Sequence, residues 1–260
     1  MTTRPILALL AAAVLSTSCG GNPTDASGDS LASEVFLFQF PTRNIESVRL
    51  TGLNGNISVV AVAAQPTVLV TGMKHVRSSS EKDAQEHLAD IEIDLTQTGS
   101  DAILSTLIPA DAQGRQYSVD FTLQVAEDFP VRVTNTNGNI DVLGHRAGLM
   151  VTNANGNITF EAVEGDVTAV NTNGTIQGDI LLHRGGTLNL QTTNGGITVS
   201  IPDTSSATLS ATSTNGNVSL SGFDLSSVTS SSSSAVGMLG AGDGTITLTT
   251  INGDITLSSF

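Results

Sequence analysis

Two dipeptides, His145-Arg146 and His183-Arg184, hold the residue types best suited to chemistry in the C-terminal half of this 260-residue chain, and they stand 38 residues apart. If a structural period near half that length stacks them on one edge, Arg146 and Arg184 form a small cationic contact for an anionic glycan. The competing reading makes all four polar corner residues. Acidic corners at Glu164-Gly165-Asp166 and Asp243-Gly244 could bind calcium weakly. They lack the regular ligand spacing of a dedicated calcium repeat, and Asp is common in exposed turns, so no metal site is assigned. A catalytic surface of the polysaccharide-lyase kind needs carboxylates for calcium and a Lys, Arg or His for proton abstraction, converging on one face. From residue 131 onward there are no Lys, three Arg (Arg132, Arg146, Arg184) and nine scattered acids. No catalytic residue and no cofactor are expected. Sugar-stacking platforms are scarce as well, with Trp absent and Tyr117 the only Tyr.

The elements that would position these residues come from a repeat beginning near residue 131. Asn-Gly recurs at Asn137-Gly138, Asn155-Gly156, Asn173-Gly174, Asn194-Gly195, Asn215-Gly216 and Asn252-Gly253, with separations of 18, 18, 21, 21 and 37 residues. An earlier copy stands alone at Asn54. The long gap holds Ser226 to Ser234, SSVTSSSSS, read as a low-complexity loop inserted into one repeat. Six and four residues before each Asn the columns are apolar (Val131, Leu149, Val167, Leu188; Val133, Val151, Ala169, Leu190). Three residues after it stand Ile140, Ile158, Ile176, Ile197, Val218 and Ile255. Inward positions two apart are β periodicity, with one buried and one wet face.

The column two before the Asn is polar although its parity points inward: Asn135, Asn153, Asn171, Thr192, Ser213, Thr250. Buried amides need hydrogen bonds. A structural ladder, bonded to stacked neighbours or to the corner backbone, is favoured over a row of ion or sugar ligands. Asn-Gly is also a hairpin signal, and parity across the turn does not separate a meander from a solenoid. The equivalence of columns over about 18 residues favours the solenoid, where parallel stacking sets like on like. At about 4.8 Å per coil, six coils would rise roughly 29 Å. Outward Thr in ranks would suit an ice-binding face, but Ala154, Val170, Gln191 and Ile251 interrupt them, and Thr is natural on any exposed strand.

Residues 34–130 suit a β-rich cap, with alternating Phe36, Phe38 and Phe40 and one short helix starting at the N-cap Ser80. Strands are expected at 47–50, 57–61, 68–72, 91–95, 102–107 and 119–125. The formal charge of −14, from 10 Lys+Arg against 24 Asp+Glu, argues against nucleic acid as a partner. Residues 1–18 read as a secretory signal, with Arg4 ahead of an apolar run too short to span a bilayer. Cys19, the only cysteine, follows at once and rules out an internal disulfide framework. Its placement resembles a bacterial lipoprotein signal, although Ser16 stands where Leu is usual. Acylated Cys19 would then hold the chain to the membrane, with residues 20–33 as a flexible tether.

Copies such as VTNANGNITFEAVEGDVTAVNTNGTI, with LNGNISV at Leu53 to Val59 and FTLQVAEDFPVRV before the repeats, resemble the bacterial DUF4097 group, regarded as adhesin-like, and the related head domains of autotransporter adhesins. The resemblance implies a single-stranded right-handed β-helix, often secreted or lipid-anchored, and transfers no catalytic motif. The expected architecture is therefore all-β: a signal (1–18), a lipidated Cys and tether (19–33), an N-terminal cap (34–130), and a β-solenoid (131–260) with a Ser-rich insertion near 221–242. The expected role is a non-catalytic, lipid-anchored cell-envelope protein, adhesin-like or scaffolding. It would contact the membrane through Cys19, and beyond it a surface glycan or an envelope protein; after crossing the inner membrane it would sit on the outer membrane of a diderm cell. The alternative is a carbohydrate-binding or carbohydrate-active β-helix.

Overall fold

The computed structural model describes residues 4–5 and 29–260, so the expected signal apart from residues 4–5, Cys19 and most of the tether lie outside the described residues. Between Ser47 and Ser259 the chain repeatedly writes one unit: a strand, an Asn-Gly corner, and a second strand on a facing sheet. Seven such coils are present among the described residues. In chain order they are Ser47–Thr51 with Ile57–Val62, Val131–Asn137 with Ile140–Leu143, Leu149–Asn155 with Ile158–Glu164, and Val167–Asn173 with Ile176–Leu181. Thr187–Asn194 with Ile197–Ile201, Ala207–Asn215 with Val218–Ser221, and Gly244–Asn252 with Ile255–Ser259 complete the set. From coil to coil, first strands pair with first strands, in parallel and in register (Leu149 beside Val131 and Val167; Asn153 beside Asn135 and Asn171), and second strands with second strands. A meander would have paired the strands flanking each Asn-Gly. The inward columns are buried through the stack, as Val133, Val151, Ala169, Leu190 and Leu248 show on one sheet and Ile140, Ile158, Ile176, Ile197 and Ile255 on the other, with Val218 and Leu220 of the outermost coil only partly covered.

The Asn54 copy, which stands alone in the sequence, forms the first coil. Its strands pair in parallel with Val131–Asn137 and Ile140–Leu143, so residues 47–62 stack on the repeats across the intervening segment. That segment builds the near end. Gln116–Ala126, Thr67–Ser78 and Ser30–Pro41 continue the sheet beyond Ile57–Val62, while Asp101–Leu107 and Glu92–Thr98 continue the sheet beyond Ser47–Thr51. The helix Glu81–Glu86 packs on Ser30–Pro41 and Thr67–Ser78. Its cap is as local chemistry dictates, with Ser80 Oγ accepting the Asp83 N–H at 3.2 Å. A 3₁₀ turn at Leu88–Asp90 follows the helix.

The far end corrects one expectation from the sequence and adds a feature that no expectation covered. Residues 226–234 are not a loop: Leu225–Ser230 and Ser234–Leu239 form an antiparallel hairpin that adds to the first sheet beside Ala207–Asn215. Stack order also departs from chain order. The last coil lies between the fifth and the sixth, because Gly244–Asn252 pairs with both Thr187–Asn194 and Ala207–Asn215, and Ile255–Ser259 with both Ile197–Ile201 and Val218–Ser221. The hairpin occupies the outer edge of the sixth coil in the first sheet, and the last coil is seated inside it.

Candidate functional site

Each corner is built from three residues with distinct tasks. The buried residue two before the Asn donates into the corner of the coil beneath. Asn135 Nδ2 reaches the Gly55 carbonyl at 2.9 Å, Asn153 the Gly138 carbonyl at 2.9 Å, and Asn171 the Gly156 carbonyl at 2.8 Å. Thr192, Thr250 and Ser213 make the same bond with a hydroxyl, to Gly174, Gly195 and Gly253. The hydroxyls do so more economically, since Oδ1 of Asn135, Asn153 and Asn171 is buried without a partner.

Amide-to-amide bonding lies one column over, on the exposed corner residues themselves. From Asn54 it runs through Asn137, Asn155, Asn173, Asn194 and Asn252 to Asn215, each Nδ2 donating to the preceding Oδ1 at 2.7–2.8 Å. The ladder therefore follows stack order, with Asn252 between Asn194 and Asn215. A second, shorter ladder that the sequence reading missed runs two residues further on, where the Asn56, Asn139 and Asn157 Oδ1 atoms accept backbone N–H groups of the next coil at 2.9–3.0 Å. Asn-x-Asn at Asn137–Asn139 and Asn155–Asn157 was its signal. The corner glycines complete the fit. A Cβ built on Gly138, Gly156, Gly174, Gly195, Gly216 or Gly253 would stand 2.0–2.2 Å from the glycine carbonyl oxygen of the adjacent coil.

The opposite side of the first sheet is a broad solvent face. In stack order one outward column reads Thr51, Thr134, Thr152, Val170, Gln191, Thr249, Thr212, and its neighbour Arg49, Arg132, Met150, Thr168, Asn189, Thr247, Ser210. Charge is confined to the near end, where Arg49 is tied to Asp101 at 2.9 Å and a shallow groove runs past Arg132 to Asp166. From the third coil on, these columns are hydroxyl, amide and apolar.

The two His-Arg pairs are not equivalent. His145 is fully buried beneath the preceding turn, with Nε2–H donating to the Phe129 carbonyl at 2.9 Å and Nδ1 accepting the Ala147 N–H at 3.4 Å. Burial holds its pKa below the ordinary imidazole value. His183 is exposed. Arg146 faces Glu127 at 3.5 Å and Glu164 at 3.7 Å, and Arg184 faces Asp243 at 3.1 Å. Each guanidinium is thus faced by acid, and at Arg146 two carboxylates stand against one cation. Asp243 also accepts from Ser206 Oγ at 2.8 Å, and these two bonds hold its carboxyl below its usual range.

Two clusters in the cap join residues far apart in sequence. Asp83 receives Arg115 at 2.7 and 2.8 Å, with Ser78 Oγ, and these bonds hold its carboxyl well below the usual range, tying the helix to the strand that begins at Gln116. On the solvent face of the other sheet, Ser33 Oγ lies 2.8 Å from His75 Nδ1, and His75 Nε2 lies 3.1 Å from Asp120. A hydrolase would also need paired N–H donors beside Oγ and a concavity for substrate. Here the three residues sit on neighbouring strands, where polar side chains ordinarily bond across the sheet. Asp120 also accepts the Asn56 N–H at 2.6 Å, so the chain of bonds ties the edge strand to the first coil.

Among the described residues no helix is long and apolar enough to cross a membrane, and no group of three His, Cys, Asp or Glu is placed to hold a metal ion. The family model described as Toastrack DUF4097 matches residues 33–258. No curated protein matches the chain. Among solved structures, a candidate cell adhesion protein from Clostridium sporogenes aligns at 11% identity and a TM-score of 0.47, covering 89% of this chain and 100% of its own. A candidate adhesin from Bacteroides fragilis aligns at 10% identity and 0.31, covering 87% and 97%. One from Parabacteroides distasonis aligns at 13% and 0.29, covering 89% and 97%.

Proposed function

We propose that this chain, which belongs to the Toastrack DUF4097 family, is a non-catalytic display protein of the cell envelope, lipid-anchored through Cys19, with an adhesin-like or scaffolding role. The observation that carries this reading is the solvent face of the first sheet, uncharged from the third coil on, where Thr152, Thr249 and Thr212 share an outward column with Val170 and Gln191. Strand spacing of about 4.8 Å sets its hydroxyl and amide groups in ranks broken by Met150 and Val170, and the corner ladders tie the stacked coils together. Single contacts to such a face are weak, whereas a repeating partner such as a surface polysaccharide engages many in register. Arg49, Arg146 and Arg184 are each ion-paired, which favours binding over turnover.

A glycan array combined with a depolymerisation assay tests the role. Binding without turnover is expected, and Thr134→Lys with Thr152→Lys should abolish it while leaving the urea midpoint nearly unchanged. Turnover of any polysaccharide would refute the reading in favour of a carbohydrate-active β-helix. The anchor is tested separately by palmitate labelling, which should be lost in Cys19→Ser; an unlabelled wild type would overturn it.

A further inference from the structure

We propose that the C-terminal coil, residues 244–260, is an exchangeable insert, and that the partner fitting its slot is the same coil of a second copy of this chain. The proposal stands on strand order and is independent of the envelope role. Chain order would put the last coil outside the sixth, yet it sits inside it, hydrogen-bonded on both flanks in both sheets. Its inward residues Ile246, Leu248, Ile255 and Leu257 are fully buried. The slot is therefore a coil wide, apolar within, and bordered by two strand edges in each sheet. Such a space accepts only a segment with the same column pattern and an Asn-Gly corner in register. Another copy's residues 244–260 supply that pattern identically. Reciprocal exchange keeps every coil-to-coil contact of residues 244–260 and changes the link that leads into them.

That link has the features of a hinge with a latch. Residues 240–243 carry the chain from Leu239, on one side of Ala207–Asn215, to Gly244 on the other. Gly240 (φ 54°) and Gly242 (φ 75°) sit in the left-handed region, where glycine alone turns freely. Ser206 holds the turn, its Oγ accepting the Ala241 N–H at 3.0 Å and donating to Asp243 at 2.8 Å, while its carbonyl accepts the Gly244 N–H at 2.9 Å. Arg184 closes the latch on Asp243 from the neighbouring coil at 3.1 Å. The acidic corner and the Arg therefore act together, governing how readily the coil enters its own slot or a neighbour's.

Mixed cross-linking tests this. Asn189 and Thr247 are register partners on adjacent parallel strands, and both side chains point outward. In the full-length chain carrying Cys19→Ser, Asn189→Cys is placed in one preparation and Thr247→Cys in another. The two are mixed, warmed, cooled and oxidised. A covalent dimer is expected, and adding Asp243→Ala should raise its rate of formation roughly tenfold by removing the charge-assisted bonds of the latch. The double variant should close internally, showing that the geometry permits the disulfide. If it does not, the next outward register pair, Gln191→Cys with Thr249→Cys, replaces it. Internal closure without a mixed dimer would overturn the proposal. So would a mixed dimer no more abundant than that of Thr247→Cys with Ser58→Cys, a position on the other sheet, since collision alone would explain it.

Discussion

Replacing Gly156 by Ala tests the corner geometry most directly. Gly156 has φ 125°, a conformation that L side chains rarely adopt, and a Cβ there would lie 2.2 Å from the Gly138 oxygen and 2.6 Å from its carbon. The backbone strain alone is about 1–3 kcal/mol. Relieving the overlap requires the two coils to part by roughly 1 Å at the corner, since backbone oxygen and carbon do not approach much closer than van der Waals contact. That movement breaks a defined set of bonds: Gly138 N–H to Asn155 O, Asn153 Nδ2 to Gly138 O, Asn155 Nδ2 to Asn137 Oδ1, and Asn157 N–H to Asn139 Oδ1, all now at 2.8–2.9 Å. At about 1 kcal/mol net for each bond, together with the strain, the expected destabilisation exceeds about 4 kcal/mol. Urea denaturation should show a midpoint lower by roughly 1.5–2 M, taking a slope of about 2–3 kcal/mol per molar. Two other glycines separate conformation from contact. Gly185 has φ 78° with nothing within 4 Å of a Cβ, so Gly185→Ala should cost only the left-handed penalty of about 1–2 kcal/mol. Gly148 has neither positive φ nor a neighbour within 4 Å, so Gly148→Ala should be neutral or stabilising by up to about 1 kcal/mol. Equal losses for Gly156→Ala and Gly185→Ala would refute the claim that coil-to-coil approach is what demands glycine at the corner.

Two further substitutions probe the buried polar atoms. Asn153→Thr should leave the urea midpoint unchanged or raise it, because Thr192 and Thr250 already make the bond to the corner carbonyl and the change removes an orphaned Oδ1; Asn153→Leu strips the Gly138 carbonyl of that donor and should lose about 1–3 kcal/mol. His145 is buried neutral with its pKa lowered, so the unfolded chain binds the extra proton first. Stability should fall as pH drops below the ordinary imidazole value of about 6.5, through the lowered folded value, and His145→Gln should flatten the midpoint-against-pH curve between pH 7 and 5.

The features legible in the sequence were those the chain states repeatedly or locally. Six copies of Asn-Gly with apolar columns two apart sufficed for the stacked coils and for the burial of Asn135, Asn153 and Asn171, because a register repeated in parallel makes each column report on every other. Ser80 and the acids after it were legible because a cap lies within one turn of its helix. What stayed hidden depends on pairings that no local pattern records. Ser33, His75 and Asp120 meet only through the register of antiparallel strands about forty residues apart. His145 reads as a polar corner until the turn ending at Pro130 closes over it. The Ser-rich hairpin lacks an apolar alternation, because one strand has only Leu225 and Val228 to mark it and most of its surface stays wet. Stack order was hidden for a deeper reason: the equivalence of columns that reveals a solenoid also makes any coil an acceptable neighbour for any other. Leu209 and Ala211 could lie on Leu188 and Leu190 as readily as Ile246 and Leu248 do. Something outside the repeat has to break the tie. The hairpin does so by covering the first-sheet edge of the sixth coil, so the 37-residue gap that looked like an interruption of the repeat decides where the last coil goes.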